Sequence, residues 1–138
     1  MVDTGHWRQA LVTEGVDEVP FGFVYKITNK TSGRMYIGKK QCLTTRKKQP
    51  LKGKKNKRHV TVETDWRTYT SSSRQLNEDI EKLGKGSFTF EILMFGSSKW
   101  QLSYEEAKIQ FEEEVLLRDE YYNDIINIRL RGKREKTL

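Results

Sequence analysis

Residues 21–41 constrain the fold of this chain more than any other part of the sequence. The first half of the segment alternates, with Phe23, Tyr25 and Ile27 on one side of an extended strand. Residues 29–33 then supply turn-forming side chains, and a second extended run follows them. The pattern predicts an antiparallel β-hairpin.

The predicted hairpin brings two tyrosines together. Tyr25 in the first strand and Tyr36 in the second can lie on one face of the sheet, with their hydroxyls side by side. Gly38 lets the backbone leave the sheet next to them. An ordinary hairpin with core aromatics has the same pattern, so the rest of the chain must decide between a structural and a chemical role for the pair.

Two helices and a third strand are predicted downstream. Capping boxes are present at residues 72–75 and 103–106, and each is followed by apolar residues at helical spacing. They predict helices over 73–83 and 103–118, with an alternating strand over 87–95 between them. The order predicts an α/β domain with a small three-stranded, mainly antiparallel sheet flanked by helices.

The length and composition suggest one domain with two extensions. Residues 1–20 lack a clear period and are predicted to form an N-terminal arm. The candidate anchors of that arm are Trp7, Leu11 and Val12. Residues 21–128 form the predicted domain, and residues 129–138 form a basic tail.

Positive charge is concentrated in residues 39–58. The chain carries a net charge of +7, from 26 Lys+Arg and 19 Asp+Glu, and this segment holds ten of the cations and no acid. A block of one sign repels itself unless a polyanion neutralises it, so nucleic acid is the predicted partner. Residues 43–46 are predicted to form a short turn or helix, and 49–56 a mobile loop. The candidate DNA contacts are Lys40, Lys47, Lys48, Lys52, Lys54, Lys55, Lys57, Arg58 and His59.

Several classes of protein are excluded by composition. No run of about 18 apolar residues is present, and the N-terminus lacks a signal segment, so we expect a soluble intracellular protein. One cysteine excludes an intrachain disulfide, and with two histidines the chain is not expected to bind zinc. Any bound metal is expected to have oxygen ligands.

The residues of the predicted hairpin resemble the GIY-YIG nuclease family. The paired motifs of the family read here as Phe23-Val24-Tyr25 and Tyr36-Ile37-Gly38; the second matches, and the first keeps its tyrosine. The resemblance extends over about residues 21–127. It implies the fold predicted above and a DNA endonuclease that depends on Mg²⁺ or Mn²⁺.

The resemblance also implies roles for individual side chains. Tyr25, influenced by Tyr36, would help to deprotonate the attacking water. Arg46 stands ten residues after Tyr36, the family interval, and would hold the scissile phosphate with Lys39. Asn123, which follows a tyrosine, would steady the phosphate or a neighbouring residue.

The metal ligand is expected to be one glutamate on the second helix. Glu112 fits the family register, because Phe111 precedes it and other apolar residues surround it. Glu106, Glu113 and Glu114 remain alternatives, although Glu106 belongs to the predicted capping box. A single carboxylate suits Mg²⁺, which keeps most of its water ligands.

Departures from the family in the first motif and at position 50 leave other functions open. Pro50 stands where the family often has a histidine, and His59 is either its spatial substitute or an ordinary DNA contact. A nucleic-acid-binding module that kept the fold without catalysis is the main alternative. RNA as a partner and assembly into a homo-oligomer are not excluded by the sequence.

Overall fold

A computed structural model describes residues 2–9 and 17–132. Its elements are β1 (Arg8–Gln9), β2 (Gly22–Asn29), β3 (Met35–Gln41), β4 (Leu43–Lys48), β5 (Arg58–Glu63), α1 (Arg74–Leu83), β6 (Phe88–Gly96) and α2 (Lys99–Glu112). Among these residues, four strands form one sheet in the order β1-β6-β2-β3, and β4 pairs with β5 alone. Within the described ranges, no helix has the length and apolar character needed to cross a bilayer.

The predicted hairpin is present as β2 and β3. The strands pair antiparallel, with Tyr25 opposite Gly38 and Ile27 opposite Tyr36. This register puts both tyrosines on one face, and their ring centroids are 6.2 Å apart. Strand β6 pairs antiparallel with the other side of β2. The predicted α/β fold, with three antiparallel strands and two helices, is therefore confirmed.

The sheet separates two apolar clusters. On the face that carries Tyr25, Phe23 and Ile27 pack with Leu76 and Ile80 of α1. On the opposite face, the buried side chains are Val24, Ile37, Leu102, Val115 and Tyr121. Because alternate residues of β2 point to opposite faces and both faces are covered, β2 is almost continuously buried.

The predicted N-terminal arm is in part a component of the core. Trp7 is fully buried, and its indole N–H donates to the Trp66 carbonyl at 2.6 Å. Directly after it, β1 pairs parallel with β6, with Arg8 opposite Glu91. The anchoring role of Trp7 is thus seen in the structure, whereas Leu11 and Val12 lie outside the described residues.

The first helix and the third predicted strand lie where the sequence placed them. Helix α1 begins after Ser73, whose hydroxyl accepts from the Leu76 backbone N–H at 3.3 Å, and it ends at Gly84. In β6, Phe88 and Phe90 are each 5% exposed, as the alternation predicted. The capping residue is Ser73, and the neighbouring Ser72 hydroxyl hydrogen-bonds with Tyr36 instead.

The predicted start of the second helix was wrong. Helix α2 begins after Ser98, whose hydroxyl accepts from the Gln101 backbone N–H at 3.1 Å. The Gln101 side chain accepts in return from the Ser97 backbone N–H at 2.8 Å. This capping box comes five residues before the predicted one, so Ser103 lies inside the helix. Phe111, the apolar residue that placed Glu112 in the family register, is 62% exposed.

The prediction of a turn or helix at residues 43–46 was also wrong. This segment belongs to β4, which pairs antiparallel with β5 from Leu43 opposite Glu63 to Lys48 opposite Arg58. The β-branched residues of both strands favour this pairing. We refer to residues 43–63 as the ribbon. The predicted loop at 49–56 forms most of its tip.

Candidate active site

Tyr25 and Gly38 fit each other closely. Tyr25 is 1% exposed, and a Cβ placed on Gly38 would lie 2.5 Å from the Tyr25 hydroxyl oxygen. Only a residue without a side chain leaves room for the phenol at this position. Within the described part of the chain, the Tyr25 hydroxyl forms no hydrogen bond with another protein group. A buried hydroxyl without a protein partner is unusual and indicates that water or a ligand completes the site.

We expect Gly38→Ala to destabilise the protein and to displace the Tyr25 ring. The added methyl group would overlap the phenol, and overpacking of this kind costs about 1–3 kcal/mol. Gly86→Ala is the matched control, because a Cβ at Gly86 meets no atom within 4 Å. Thermal denaturation of both variants measures the difference. Equal melting temperatures would show that the site accommodates a side chain at position 38.

Burial is the main influence on the acidity of both tyrosines. It raises the pKa of Tyr25 well above 10, and the charges of Tyr36, Tyr69 and Glu106 add to the rise. Burial also raises the pKa of Tyr36, although a hydrogen bond with the Ser72 hydroxyl opposes the shift. Both phenols are therefore protonated at neutral pH. Tyr36 is half-buried, so it can contact solvent, whereas Tyr25 is enclosed.

Lys40 and Tyr69 extend the tyrosine cluster. The Tyr69 ring lies 6.3 Å from the Tyr25 ring, and the Lys40 ammonium lies 4.0 Å above the Tyr69 ring. Lys40 also pairs with Asp65 at 2.8 Å, a contact that lowers the pKa of Asp65. Alternation along β3 puts Lys40 on the same face as Tyr36. Sequence reasoning treated Lys40 as a DNA contact and gave Tyr69 no role, but the structure places both beside the tyrosine pair.

The glutamate that faces the tyrosines is Glu106. In α2 it lies between Leu102 and Gln110 at intervals of four residues, and both of these neighbours are buried. Burial raises the pKa of Glu106, and the Lys39 charge and backbone N–H partly offset the rise. The Glu106 charge in turn raises the pKa of Tyr25 and Tyr36. Glu106 is therefore half-buried, and its charge interacts with Lys39 and with the two tyrosines.

Glu112, the residue chosen from the sequence, lies elsewhere. It is the last residue of α2 and is exposed. Glu112 lies six positions after Glu106, which corresponds to about 9 Å along the helix axis and a rotation of about 120°. Of the two remaining alternatives, Glu113 pairs with Arg118 and Glu114 is exposed. Glu106 therefore replaces Glu112 as the candidate metal ligand.

Asn123 holds the outer edge of β3. Its side-chain amide donates to the Ile37 carbonyl at 2.8 Å, and its oxygen accepts from the Ile37 backbone N–H at 3.0 Å. Gln110 donates to the same carbonyl at 2.9 Å. These contacts satisfy an edge strand that would otherwise present unpaired backbone groups. The family resemblance implied that Asn123 steadies either the phosphate or a neighbouring residue. In the structure its hydrogen bonds hold Ile37, the residue after Tyr36.

We expect Asn123→Ala to lower the free energy of unfolding by about 2–4 kcal/mol. Asn123 is 7% exposed, and its removal leaves the Ile37 N–H without a partner in a buried setting. Asn127→Ala, at an exposed position nearby in the chain, is the control. Urea denaturation compares the two variants. A loss confined to activity, with unchanged stability, would instead assign Asn123 to the substrate.

A cationic pocket is lined by Lys39, the lysine whose charge acts on Glu106. It has a volume of about 500 Å³ and lies between the end of β3, the base of the ribbon and the start of α2. Three lysines line it, Lys39, Lys40 and Lys99, together with hydroxyl groups that include Ser103. The Lys39 ammonium donates to the Ser103 hydroxyl at 2.7 Å. Three ammonium groups around one cavity suit a phosphate group.

A second pocket lies next to Tyr36. It has a volume of about 380 Å³ and is lined by Tyr36, Ser72, Arg74 and Asn123, among others. The sequence did not indicate Arg74 as a site residue, because Arg74 follows the N-cap residue of α1 and belongs to no recognisable motif. Tyr36 therefore borders a polar cavity that Asn123 also lines.

The cations of the ribbon are separate from this cluster. Arg46 is exposed on β4, and within the described residues it makes no ion pair. The remaining predicted DNA contacts of the ribbon are likewise exposed: Lys47, Lys48, Lys52, Lys54, Lys55, Lys57, Arg58 and His59. The structure thus connects Tyr25, Tyr36, Lys39, Lys40 and Glu106 through ring contacts, hydrogen bonds and charge, and within the described residues Arg46 has no such contact with them.

Comparison with known families agrees with the sequence motifs and the fold. A family model described as "Putative endonuclease segE, GIY-YIG domain" matches residues 7–126. A search of curated proteins and a search of solved structures each found no match. The matched range contains both tyrosines, Glu106 and Asn123, and it begins at the buried Trp7. The chain belongs to the GIY-YIG nuclease family.

Proposed function

We propose that this protein is a DNA endonuclease that hydrolyses phosphodiester bonds at the cluster of Tyr25, Tyr36, Lys39, Lys40 and Glu106. The observation that carries the proposal is the buried Tyr25 hydroxyl, which has no hydrogen-bond partner among residues 2–9 and 17–132. It lies next to Tyr36, and the Glu106 charge acts on it. Family membership supports nuclease activity on nucleic acid.

Glu106 suits a divalent cation such as Mg²⁺ or Mn²⁺. Its carboxylate is partly desolvated, which raises its pKa, and a cation at that oxygen would remove the cost of its charge. No group of three or more His, Cys, Asp or Glu side chains that could hold a metal ion occurs in the described ranges. Glu106 would thus be the one protein carboxylate, and the phosphate and waters would supply further oxygens. When bound, the cation would stabilise negative charge on the phosphate and favour ionisation of water.

Tyr36 is the tyrosine placed to exchange a proton with the attacking water. It is half-buried and hydrogen-bonds with Ser72, whereas Tyr25 is enclosed. In this proposal the water oxygen bonds to phosphorus as the bond to the 3′ oxygen breaks. The water gives its proton to the Tyr36 hydroxyl as that hydroxyl passes its own proton to solvent, and the 3′ oxygen takes up a proton from solvent. The Tyr25 hydroxyl donates a hydrogen bond to the water or to the phosphate. The products are a 5′-phosphate and a 3′-hydroxyl.

The lysines of the cationic pocket take the role that the sequence suggested for Arg46. Lys39 is fixed by Ser103, and Lys40 by Asp65 and Tyr69, so both ammonium groups are oriented before substrate binds. Preorganised cations stabilise the extra charge of a phosphoryl transition state more than mobile ones do. Lys39 and Lys40 therefore hold the phosphate from two sides of β3.

Plasmid cleavage tests the proposal. Purified protein with supercoiled DNA and Mg²⁺ should produce nicked or linear DNA, and EDTA should stop the reaction. DNA ligase should reseal nicks that carry a 5′-phosphate and a 3′-hydroxyl. Retention of plasmid without nicking at any Mg²⁺ concentration would favour a binding module without catalysis. Preferential cleavage or binding of RNA in competition would change the substrate class.

A further inference from the structure

The ribbon holds the whole charge excess of the protein. Residues 43–63 contain eight of the 26 basic side chains and one of the 19 acidic ones, so the remaining residues are balanced at 18 of each sign. The eight cations are all exposed, and none of them forms an ion pair within residues 2–9 and 17–132. The single acid, Glu63, pairs with Arg67 at the base of the ribbon.

The ribbon is a projecting two-stranded unit. Its strands have six residues each and pair only with one another. None of its side chains is buried. It is held to the domain at its base, where the backbone N–H groups of Cys42 and Leu43 donate to the Phe21 carbonyl and the Thr64 hydroxyl donates to the Gln41 carbonyl.

We propose that the ribbon lies in the major groove of duplex DNA that extends from the active site. The proposal rests on the proposed function and adds a substrate class: B-form duplex on one defined side of the scissile phosphate. The B-DNA major groove, about 12 Å wide, admits a two-stranded β-ribbon. The A-form RNA major groove is too deep and narrow for this.

The composition of the ribbon favours a duplex over a single strand. Proteins that bind single strands stack the bases on aromatic side chains, and residues 43–63 contain no Phe, Tyr or Trp. The register instead places Arg46, Lys48 and Arg58 on one face, around Val60. Long cationic side chains with an apolar centre suit phosphates and base edges in a groove.

The position of the ribbon gives the contact a direction. The cationic pocket that Lys39 and Lys40 line is also lined by Thr44 of the ribbon and by Thr64, the first residue after the ribbon. A duplex whose scissile phosphate occupies that pocket would continue along the ribbon on one side. Two six-residue strands extend about 20 Å, which covers about 6 base pairs. Among residues 2–9 and 17–132, no second separate strand pair is present to contact the opposite flank.

Neutralising the tip of the ribbon tests the binding part. We define the tip variant as Lys→Gln at Lys52, Lys54, Lys55 and Lys57. The control carries the same change at four exposed lysines elsewhere, Lys30, Lys82, Lys85 and Lys108. In EDTA, where cleavage is stopped, the tip variant should bind a DNA duplex more weakly. The slope of log K against log salt should fall by about 0.9 for each lost phosphate contact. The control should keep the wild-type slope.

Flank length tests the direction. Wild-type protein should cleave a duplex with about 10 base pairs on the ribbon side at least about tenfold faster, at subsaturating concentration, than one with about 2. Shortening the other flank should have little effect, and the tip variant should lose the asymmetry. Equal dependence on both flanks would overturn the proposal, as would binding of single strands or duplex RNA as tight as that of duplex DNA. If wild-type protein does not cleave, a one-sided hydroxyl-radical footprint lost in the tip variant would still support the ribbon and refute only the proposed function.

Discussion

Replacing Glu106 by glutamine should lower the single-turnover rate of DNA cleavage by about 10³-fold or more while the fold remains intact. Glutamine keeps the size of the side chain and removes the charge that a divalent cation requires. A loss of 10³ corresponds to about 4 kcal/mol of transition-state stabilisation, which is within the range for a metal-assisted step. DNA binding should survive, because a negative charge next to the phosphate is lost.

The stability of this variant separates a functional from a structural role. Burial raises the pKa of Glu106 in the folded protein, so the charged carboxylate is less favourable there than in the unfolded chain. The contribution of Glu106 to stability is therefore complete below its unfolded pKa and is lost as the pH rises through the raised folded value. At neutral pH, Glu106→Gln should have an equal or higher melting temperature in EDTA. Mg²⁺ should raise the melting temperature of the wild type only.

Glu112→Gln is the control for the Glu106 variant. Glu112 is exposed at the end of α2, so its replacement should leave both the cleavage rate and the Mg²⁺ effect on melting unchanged. If Glu112→Gln is inactive and Glu106→Gln cleaves normally, the assignment of the metal ligand is wrong.

Tyr25→Phe and Tyr36→Phe should each reduce cleavage by about 10² to 10⁴, the range for loss of a general acid–base group. The variants remove one hydroxyl and keep the ring, so packing in the core is preserved. Tyr36→Phe should show the larger loss, because Tyr36 is the phenol that can contact solvent.

Melting temperature gives the independent readout for Tyr25. Removal of a buried hydroxyl that has a protein partner costs about 1–3 kcal/mol, whereas Tyr25 has none within the described residues. Tyr25→Phe should therefore be as stable as the wild type or more so. A destabilised variant with near wild-type single-turnover rates would place Tyr25 in the core and remove it from the mechanism.

The hairpin could be predicted because its signals are local. Alternation in β2, a turn at residues 29–33 and the glycine after Tyr36 all lie within 21 residues, and the structure uses each of them. Gly38 shows how specific the signal is, since the Tyr25 hydroxyl occupies the space of the missing Cβ.

The sequence pointed to Glu112 rather than Glu106 as the candidate metal ligand, because Glu106 belongs to the capping box that the sequence predicted. Ser103–Glu106 and Ser98–Gln101 both fit the same capping pattern, and the structure uses the earlier one. The earlier capping box leaves Glu106 inside α2, where it has no capping role, and α2 ends at Glu112. The informative signal is the spacing of Leu102, Glu106 and Gln110, which puts a carboxylate between two buried side chains.

The ribbon was missed because its partner strand is not local. Residues 43–46 and 60–63 are too short to identify as strands, and a charged loop separates them. Pairing between them appears only in the fold. By contrast, alternation along β3 would have assigned Lys40 to the face of Tyr36 and Lys39 to the opposite face, which is how the structure arranges them.

Cleavage in ¹⁸O-labelled water tests the central claim, hydrolysis at the tyrosine–Glu106 cluster, most directly. Wild-type protein with plasmid and Mg²⁺ should place one ¹⁸O atom in the 5′-phosphate of each nick, measured by mass spectrometry, and Glu106→Gln should give no labelled product. Unlabelled ends or DNA joined covalently to the protein would mean that a side chain, not water, attacks phosphorus. Absence of nicks under these conditions would contradict the proposed activity.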